Sequence, residues 1–146
     1  EILEGDLREL SCEGFEVVDL ASGSWGSAAD AHADLAQELR FPDYYGRNLN
    51  ALSDCLLELP VRDAGGLAVV LRDYDEFARR DADFARGLLD VFACGARLLQ
   101  VFGKTVVLLV HSKDPDIDFG PLGAVTAWWN AREFVRADRC GGRPAN

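Results

Sequence analysis

Two almost continuous apolar runs, separated by a long amphipathic segment, dominate the hydrophobic pattern of this chain. Residues 67–71 (LAVVL) and 105–110 (TVVLLV) show no alternation, as is typical of strands buried on both faces. Between them, residues 84–102 carry apolar side chains at helical spacing, and Gly103 is suited to cap that helix. This order predicts two parallel strands joined by a helical crossover. An earlier run, Phe15–Leu20 (FEVVDL), predicts a third strand.

Two amphipathic helices are predicted between the first and second strands. Ser27 begins the first helix, with Asp30 three residues later as in a capping box, and Pro42 stops it. Asn48 is suited to cap the second helix, which ends at Pro60. The apolar faces of the two helices are Ala28, Ala31, Leu35 and Leu39 in the first, and Leu49, Leu52, Leu56 and Leu59 in the second.

The pattern changes after His111. Residues 112–123 are rich in Asp, Pro and Gly and are predicted to form a long loop. Residues 124–129 are predicted to form a short edge strand, and residues 131–138 a terminal helix. We therefore predict a single domain over residues 1–139, with a core at about 15–111, an extension at 112–139 and a flexible tail at 140–146.

The net charge indicates the class of partner, and the cysteines indicate the cellular compartment. The 146 residues carry a formal net charge of −10, which disfavours nucleic acid or an anionic membrane and suits the attraction of a cationic protein. The longest strongly apolar stretch, residues 105–110, is too short to span a bilayer. Scattered cysteines without a Cys-x-x-Cys pair predict thiols in a reducing, cytoplasmic compartment and no metal site; they are Cys12, Cys55, Cys94 and Cys140.

Motifs for catalysis are weak. Gly103-Lys104-Thr105 looks like the end of a phosphate-binding loop, but it follows a helix and precedes a strand, which is the reverse of the order such a loop needs. His32 is predicted to lie on the solvated side of its helix. His111 ends a buried strand, where α/β enzymes place functional groups, but no nucleophile motif accompanies either histidine. A small α/β enzyme or ligand-binding protein that uses His111 stays as an alternative.

Other polar and aromatic clusters are predicted to be structural. Asp73 and Asp75 fall in a turn-like context, where solvation of a loop is the expected role. Trp128 and Trp129 are adjacent on the predicted edge strand, so they point in opposite directions. Packing is therefore the expected role of this pair, and contact with a partner is the alternative.

The most distinctive stretch is residues 41–56, FPDYYGRNLNALSDCL. Its Pro, acidic residue, Tyr-Tyr-Gly, Asn-Leu and Asp-Cys-Leu resemble the signature of barstar-family ribonuclease inhibitors. The preceding helix is similar in the same register, at Ser27, Asp30, His32, Leu35, Glu38, Leu39 and Pro42. The resemblance is strong over residues 27–59 and extends by element order to the strand at 105–110. It implies an α/β fold with a three-stranded, mainly parallel sheet packed with helices, here with a C-terminal extension.

The resemblance also implies a function. Proteins of this family bind a small, basic, secreted ribonuclease one-to-one and occlude its active site, so the expected protein is a cytoplasmic inhibitor of a barnase-like, guanyl-type enzyme. It would act without catalysis, metal or cofactor, and would be a monomer when free. Asp54 would lie where the substrate phosphate binds, among cationic side chains of the enzyme. The residues that the resemblance implies as partner-binding are Tyr44, Tyr45, Gly46, Asn48, Leu49, Asn50 and Asp54.

The predicted local structure agrees with such a surface. Since Pro42 ends one helix and Asn48 begins the next, residues 43–47 are predicted to be an exposed loop with two tyrosines. Asp54 follows Asn50 by one helical turn, so both are expected to point away from the leucine stripe.

Four positions depart from the family pattern. Arg47 replaces an acidic residue, Asn50 replaces an aspartate and Ser53 replaces a tryptophan, while Cys94 stands where a further acid is expected on the long helix. The predicted surface is less acidic than that of the family, although Asp43 and Glu58 lie close to it in sequence. A barstar-like immunity protein directed against a different toxin is therefore a second alternative.

Overall fold

A three-stranded parallel sheet lies at the centre of the computed structural model, which describes residues 2–62, 65–123 and 125–126. The strands are arranged in the order β1 (Phe15–Leu20), β2 (Gly66–Leu71) and β3 (Val106–Val110). The middle strand, β2, pairs with both neighbours and is buried along its whole length, which explains its uninterrupted apolar sequence. The predicted strands, their parallel pairing and the α/β fold class are confirmed.

Helices fill both connections between the strands. In chain order the helices are α1 (Ile2–Cys12), α2 (Ala28–Glu38), α3 (Leu49–Leu57), α4 (Tyr74–Arg80) and α5 (Ala82–Val101). The predictions of α2, α3 and α5 are confirmed, whereas α1 and α4 were not predicted. α4 has only seven residues, too few to display a helical period. No helix in the described ranges has the length and apolar character needed to cross a membrane.

The predicted helix ends are also confirmed. The side chain of Ser27 accepts a hydrogen bond from the backbone N–H of Asp30 at the start of α2, at 3.4 Å. Asn48 Oδ1 accepts one from the N–H of Ala51 at 2.8 Å and so begins α3. Gly103, which follows α5, has a φ of +75°, the left-handed conformation that closes a helix.

The main core lies between one face of the sheet and helices α2–α5, and α1 covers the opposite face. Leu3 and Leu7 of α1 pack against Val70 in the middle strand. Side chains that are fully buried in the main core include Leu35, Leu52, Phe77, Leu88 and Phe92. With both faces covered, the sheet leaves its polar loops and the outer sides of the helices for contact with other molecules.

The segment after β3 is a loop, as predicted, and it ends in a short antiparallel pair of strands, β4 (Pro121–Leu122) and β5 (Val125–Thr126). Leu122 is buried in the main core. Of the edge strand expected at 124–129, the described residues Val125–Thr126 form β5, which pairs with β4 in a separate sheet and does not extend the three-stranded sheet. Trp128 and Trp129, the helix expected at 131–138, the tail and Cys140 lie outside the described residues.

The prediction that Asp75 is a solvated loop residue is wrong. Its carboxylate is buried at the start of α4, where it accepts hydrogen bonds from Arg79 Nη2 at 2.8 Å and from the N–H of Lys113 at 3.3 Å. Burial is tolerated because the charge is paired and hydrogen-bonded. Asp75 thereby joins α4 to the beginning of the C-terminal extension.

Candidate partner-binding site

The loop between α2 and α3 is built on one buried aromatic side chain. The N–H of Tyr45 donates to the carbonyl oxygen of Pro42 at 3.0 Å, which forms a tight turn. The ring of Tyr45 packs against Phe41, with 4.9 Å between the ring centroids, and only 8% of the residue is exposed. The expectation that both tyrosines of this loop face solvent is therefore wrong for Tyr45. The buried ring of Tyr45 anchors the loop between the two helices.

Tyr44, by contrast, is 74% exposed. Its hydroxyl donates to Glu58 Oε2 at 3.2 Å, so the ring lies over the outer side of α3. This hydrogen bond to a carboxylate, together with the negative charge of Glu58, raises the pKa of Tyr44. The neighbouring tyrosines thus have separate positions, one under the loop and one on its surface.

The prediction that His32 is solvated is wrong as well. His32 is 4% exposed, and its Nδ1 lies at hydrogen-bond distance, 2.5 Å, from the hydroxyl oxygen of Tyr45. Phe84, near the start of α5, packs edge-on against the imidazole with a centroid separation of 5.2 Å. Two signals for this burial are present in the sequence, because His32 follows Ala28 by four residues and precedes Leu35 by three.

Burial disfavours the charged form of both partners in this hydrogen bond. It lowers the pKa of His32, and the nearby Arg47 lowers it further. Burial also raises the pKa of Tyr45 to about 12. The pair is therefore neutral at neutral pH, and its hydrogen bond ties the loop to α2.

We expect His32 to make the protein less stable in mild acid. Because folding lowers the pKa of His32 below its ordinary value of 6.5, the unfolded chain takes up the proton first. The contribution of His32 to stability is complete above pH 6.5 and is lost as the pH falls from there towards the folded pKa. The free energy of unfolding, measured in urea at about pH 7.5 and about pH 5.5, should fall more in the wild-type chain than in His32→Gln. An equal fall in both proteins would contradict the assignment, since His111 is present in each.

The outer side of α3 presents polar side chains. Asn50 and Asp54 are exposed, whereas Leu52, Cys55 and Leu56 of the same helix are buried against the core. In the part of the chain that the structure describes, the side chain of Asp54 makes no hydrogen bond or ion pair. Its carboxylate is consequently available to a partner without the loss of an internal contact.

The remaining predicted site residues have structural contacts. Asn48 is exposed, but its side chain both caps α3 and donates to the carbonyl oxygen of Gly46 at 3.3 Å. Gly46 is exposed beside it, and Leu49 is half-buried against Gly87 of α5. The structure therefore brings Tyr44, Gly46, Asn48, Asn50 and Asp54 to one exposed loop–helix surface, with Tyr45 beneath them and Leu49 at the junction with α5.

Arg47 adds a positive charge to this surface. It is exposed and has a φ of +52°, a left-handed conformation that costs about 1–2 kcal/mol in a residue other than Gly, Asn or Asp. The conformation turns the chain sharply between Gly46 and Asn48. The charge of Arg47 lies close enough to the buried His32 to lower its pKa.

At the alternative site, the side chain of His111 makes contacts within the fold. The N–H of Asp73 donates to His111 Nδ1 at 3.1 Å, and Asp73 Oδ1 lies 3.2 Å from the same nitrogen.

A cavity of about 90 Å³ lies at the opposite end of the sheet, where the strands begin, beside Glu16 and Gly66. It is small compared with ligand pockets of about 300–1,000 Å³. Among the described residues, no group of His, Cys, Asp and Glu is arranged to hold a metal ion.

The parallel sheet packed with helices makes this a small α/β protein with an exposed loop–helix surface, and the fold agrees with a known family. The family model described as "Barstar (barnase inhibitor)" matches residues 15–110, which cover the sheet, the loop and helices α2–α5. The chain therefore belongs to the barstar family, as the resemblance of residues 41–56 indicates.

One curated relative matches the chain over a shorter stretch. The chain is 49% identical over 47 residues to the protein named "Putative ribonuclease inhibitor YrdF" of Bacillus subtilis (strain 168). The match covers 30% of this chain and 45% of that protein. The chain thus spans less than half the length of this curated relative.

Proposed function

We propose that this protein is an inhibitor of a small, basic ribonuclease of the barnase type, that it binds the enzyme one-to-one and that it occludes the active site. The observation that carries the proposal is the exposed loop–helix surface of Tyr44, Gly46, Asn50 and Asp54 in a member of the barstar family. The name of the partly matching relative supports a ribonuclease as the target. In this role the protein is a binding partner and has no catalytic residues.

Asp54 is the proposed anchor of the complex. A carboxylate can accept two hydrogen bonds from one guanidinium group, and such a pair becomes strong when water is excluded. Asp54 is exposed on α3, one helical turn from Asn50. It can therefore enter a cationic cleft that otherwise binds the phosphate of RNA.

Tyr44 and Gly46 are proposed to line the same contact. Tyrosine provides a large apolar ring with a polar tip, a combination that is enriched at protein interfaces. Gly46 is exposed and lets a partner approach the backbone, because it has no Cβ. Asn50 supplies hydrogen-bonding groups without charge, and Asn48 preserves the turn below them.

Net charge supports a cationic target. The formal charge of −10 raises the rate at which a basic protein meets this chain, and the effect falls as salt screens it. The positive charge of Arg47 weakens this attraction at the loop–helix surface. It favours a target that has a carboxylate close to its cationic cleft. The exposed positive charge is also the observation that favours the second candidate, an immunity protein against a different toxin.

The proposal is tested by titrating a panel of small microbial ribonucleases with the purified protein, using RNA cleavage and calorimetry. We expect at least one enzyme to lose activity with an end point near one-to-one. Its association rate should fall about 10-fold or more when the salt concentration is raised from about 50 to about 500 mM. An unrelated protein of similar negative charge serves as the control. If no enzyme of the panel is inhibited, ribonuclease inhibition is contradicted.

A further inference from the structure

Residues 119–123 of the C-terminal extension, which follow the segment matched by the family model, are hydrogen-bonded to α5. Arg86 donates from Nε to the carbonyl oxygen of Phe119 at 3.2 Å and from Nη2 to that of Pro121 at 2.8 Å. The N–H of Gly123 donates to Asp90 Oδ1 at 2.6 Å. These three hydrogen bonds hold the extension on two successive turns of the helix.

Gly123 shows how closely the extension lies against α5. Its φ is +54°, and a Cβ added there would lie 3.1 Å from Ala93 Cβ and 3.2 Å from both Cys94 N and Arg97 Nη2. A side chain at this position would require its neighbours to move by a few tenths of an ångström, and the positive φ adds backbone strain. The extension therefore touches the helix directly at the level of residues 93–97.

α3 lies on the other side of the same part of α5. A Cβ added at Gly95 would lie 3.7 Å from Leu56 Cδ1, and one at Gly87 would lie 2.8 Å from Leu49 Cδ1. Successive residues of a helix are rotated by about 100°, so Cys94 points between the direction of Ala93 and that of Gly95. Cys94 is exposed. The exposed side of α5 at Cys94 thus lies between α3 and the extension.

This exposed side continues along the helix. Leu98 and Val101 follow Cys94 by four and seven residues, the spacing of one helical face, and they are 51% and 79% exposed. We call Cys94, Leu98 and Val101 the Cys94 strip. The helix that carries the strip packs along α3, the helix on which Asn50 and Asp54 are exposed.

The usual size of a protein interface is a reason to include the Cys94 strip in the partner-binding surface. In the loop and α3, residues 43–58, nine residues are exposed: 43, 44, 46, 47, 48, 50, 54, 57 and 58. A stable complex of standard size uses about 20–30 residues on each side. The nine exposed residues are fewer than such an interface uses, so a partner of standard size is expected to contact further residues beside the loop–helix surface.

We propose that residues 119–123 form an outer wall of the partner-binding surface, so that a bound ribonuclease contacts α3, the Cys94 strip and this wall together. This inference rests on the proposed function. The position of this wall limits how far a bound enzyme can extend over α5. The wall therefore helps to determine which ribonuclease the protein binds.

Two substitutions test the wall. Gly123→Val places a β-branched side chain at a positive φ and against Ala93, so the extension has to move away from α5. Arg86→Ala is the milder second variant, because it removes two hydrogen bonds to the extension from an exposed side chain. Gly103→Val is the matched control, since Gly103 also has a positive φ but nothing lies within 4 Å of an added Cβ.

The probe is the panel ribonuclease that the wild-type protein inhibits most strongly. We expect its Kd to rise about 10-fold or more for Gly123→Val and about 3-fold for Arg86→Ala, with little change for Gly103→Val. Circular dichroism checks that each variant is folded. Maleimide labelling followed by peptide mass spectrometry should show that the bound enzyme protects Cys94, whereas Cys12, exposed on α1, reacts as in the free protein.

The possible failures are distinguishable. Unchanged Kd values for folded Gly123→Val and Arg86→Ala would overturn the wall while ribonuclease inhibition stands. Labelling of Cys94 at the same rate in the complex and the free protein would overturn contact with the Cys94 strip. A panel without any inhibited enzyme would overturn the proposed function and this inference together.

Discussion

Asp54→Ala is expected to weaken inhibition of the target ribonuclease by on the order of 100-fold to 1,000-fold. The carboxylate of Asp54 is exposed in the free protein, so its removal costs the fold little. In the proposed complex it lies against cationic side chains from which water is excluded. Its loss leaves those charges buried and unpaired, which costs about 2–5 kcal/mol. The measurement is the inhibition constant, determined from RNA cleavage at increasing inhibitor concentration, and the dissociation rate, which should rise most.

Asp43→Ala is the matched control for Asp54→Ala. It removes the same charge from an exposed position in the loop that precedes α3. Loss of a charge at the rim of an interface changes mainly the association rate, so inhibition should weaken by only a few-fold. Equal inhibition by Asp54→Ala and the wild-type protein would refute the proposed mechanism even if binding persisted.

Tyr45→Ala is expected to lower the free energy of unfolding by about 3–5 kcal/mol. The substitution removes a buried ring that packs on Phe41, and it leaves His32 without its hydrogen-bond partner. Loss of the ring also removes what holds the loop between α2 and α3. Urea unfolding measures the stability, and inhibition of the target should weaken because Tyr44 and Gly46 lose their support.

Tyr44→Ala is the control that the chain itself provides. It removes the same side chain one residue earlier, where the ring is 74% exposed. Its free energy of unfolding should change by less than about 1 kcal/mol, while inhibition weakens through the lost contact area. If the two alanine variants were equally stable, the assignment of Tyr45 to the core and Tyr44 to the surface would be wrong.

Most of the architecture could be read from residue patterns. The strands at Phe15–Leu20, Gly66–Leu71 and Val106–Val110 are short apolar runs, and a buried strand needs nothing more to be recognised. The caps Ser27 and Asn48 act on neighbouring backbone groups, so a few residues suffice to predict them. Predictions of this kind succeed because their physical cause lies within a few residues of the position concerned.

Two of the predictions that failed concern polar side chains whose burial depends on contacts with distant segments. His32 is buried because Phe84, in a helix that begins fifty residues later in the chain, covers its side of α2. Asp75 is buried because Arg79 and the backbone of Lys113 neutralise and bind its carboxylate. Both residues were predicted to be exposed because their side chains are polar. A polar side chain is buried only where tertiary contacts satisfy its hydrogen bonds and charge.

The amino-acid sequence by itself determined the α/β class, the parallel strands with their crossover helix and the segment 41–56 that carries the family likeness. These properties follow from hydrophobic period, local capping and motif identity, which do not depend on distant contacts. The tertiary structure decided which tyrosine supports the loop and which faces a partner. It also decided that residues 119–123 lie along α5, close to Cys94. Burial and juxtaposition are properties of the packed chain, because they arise only when segments far apart in sequence meet.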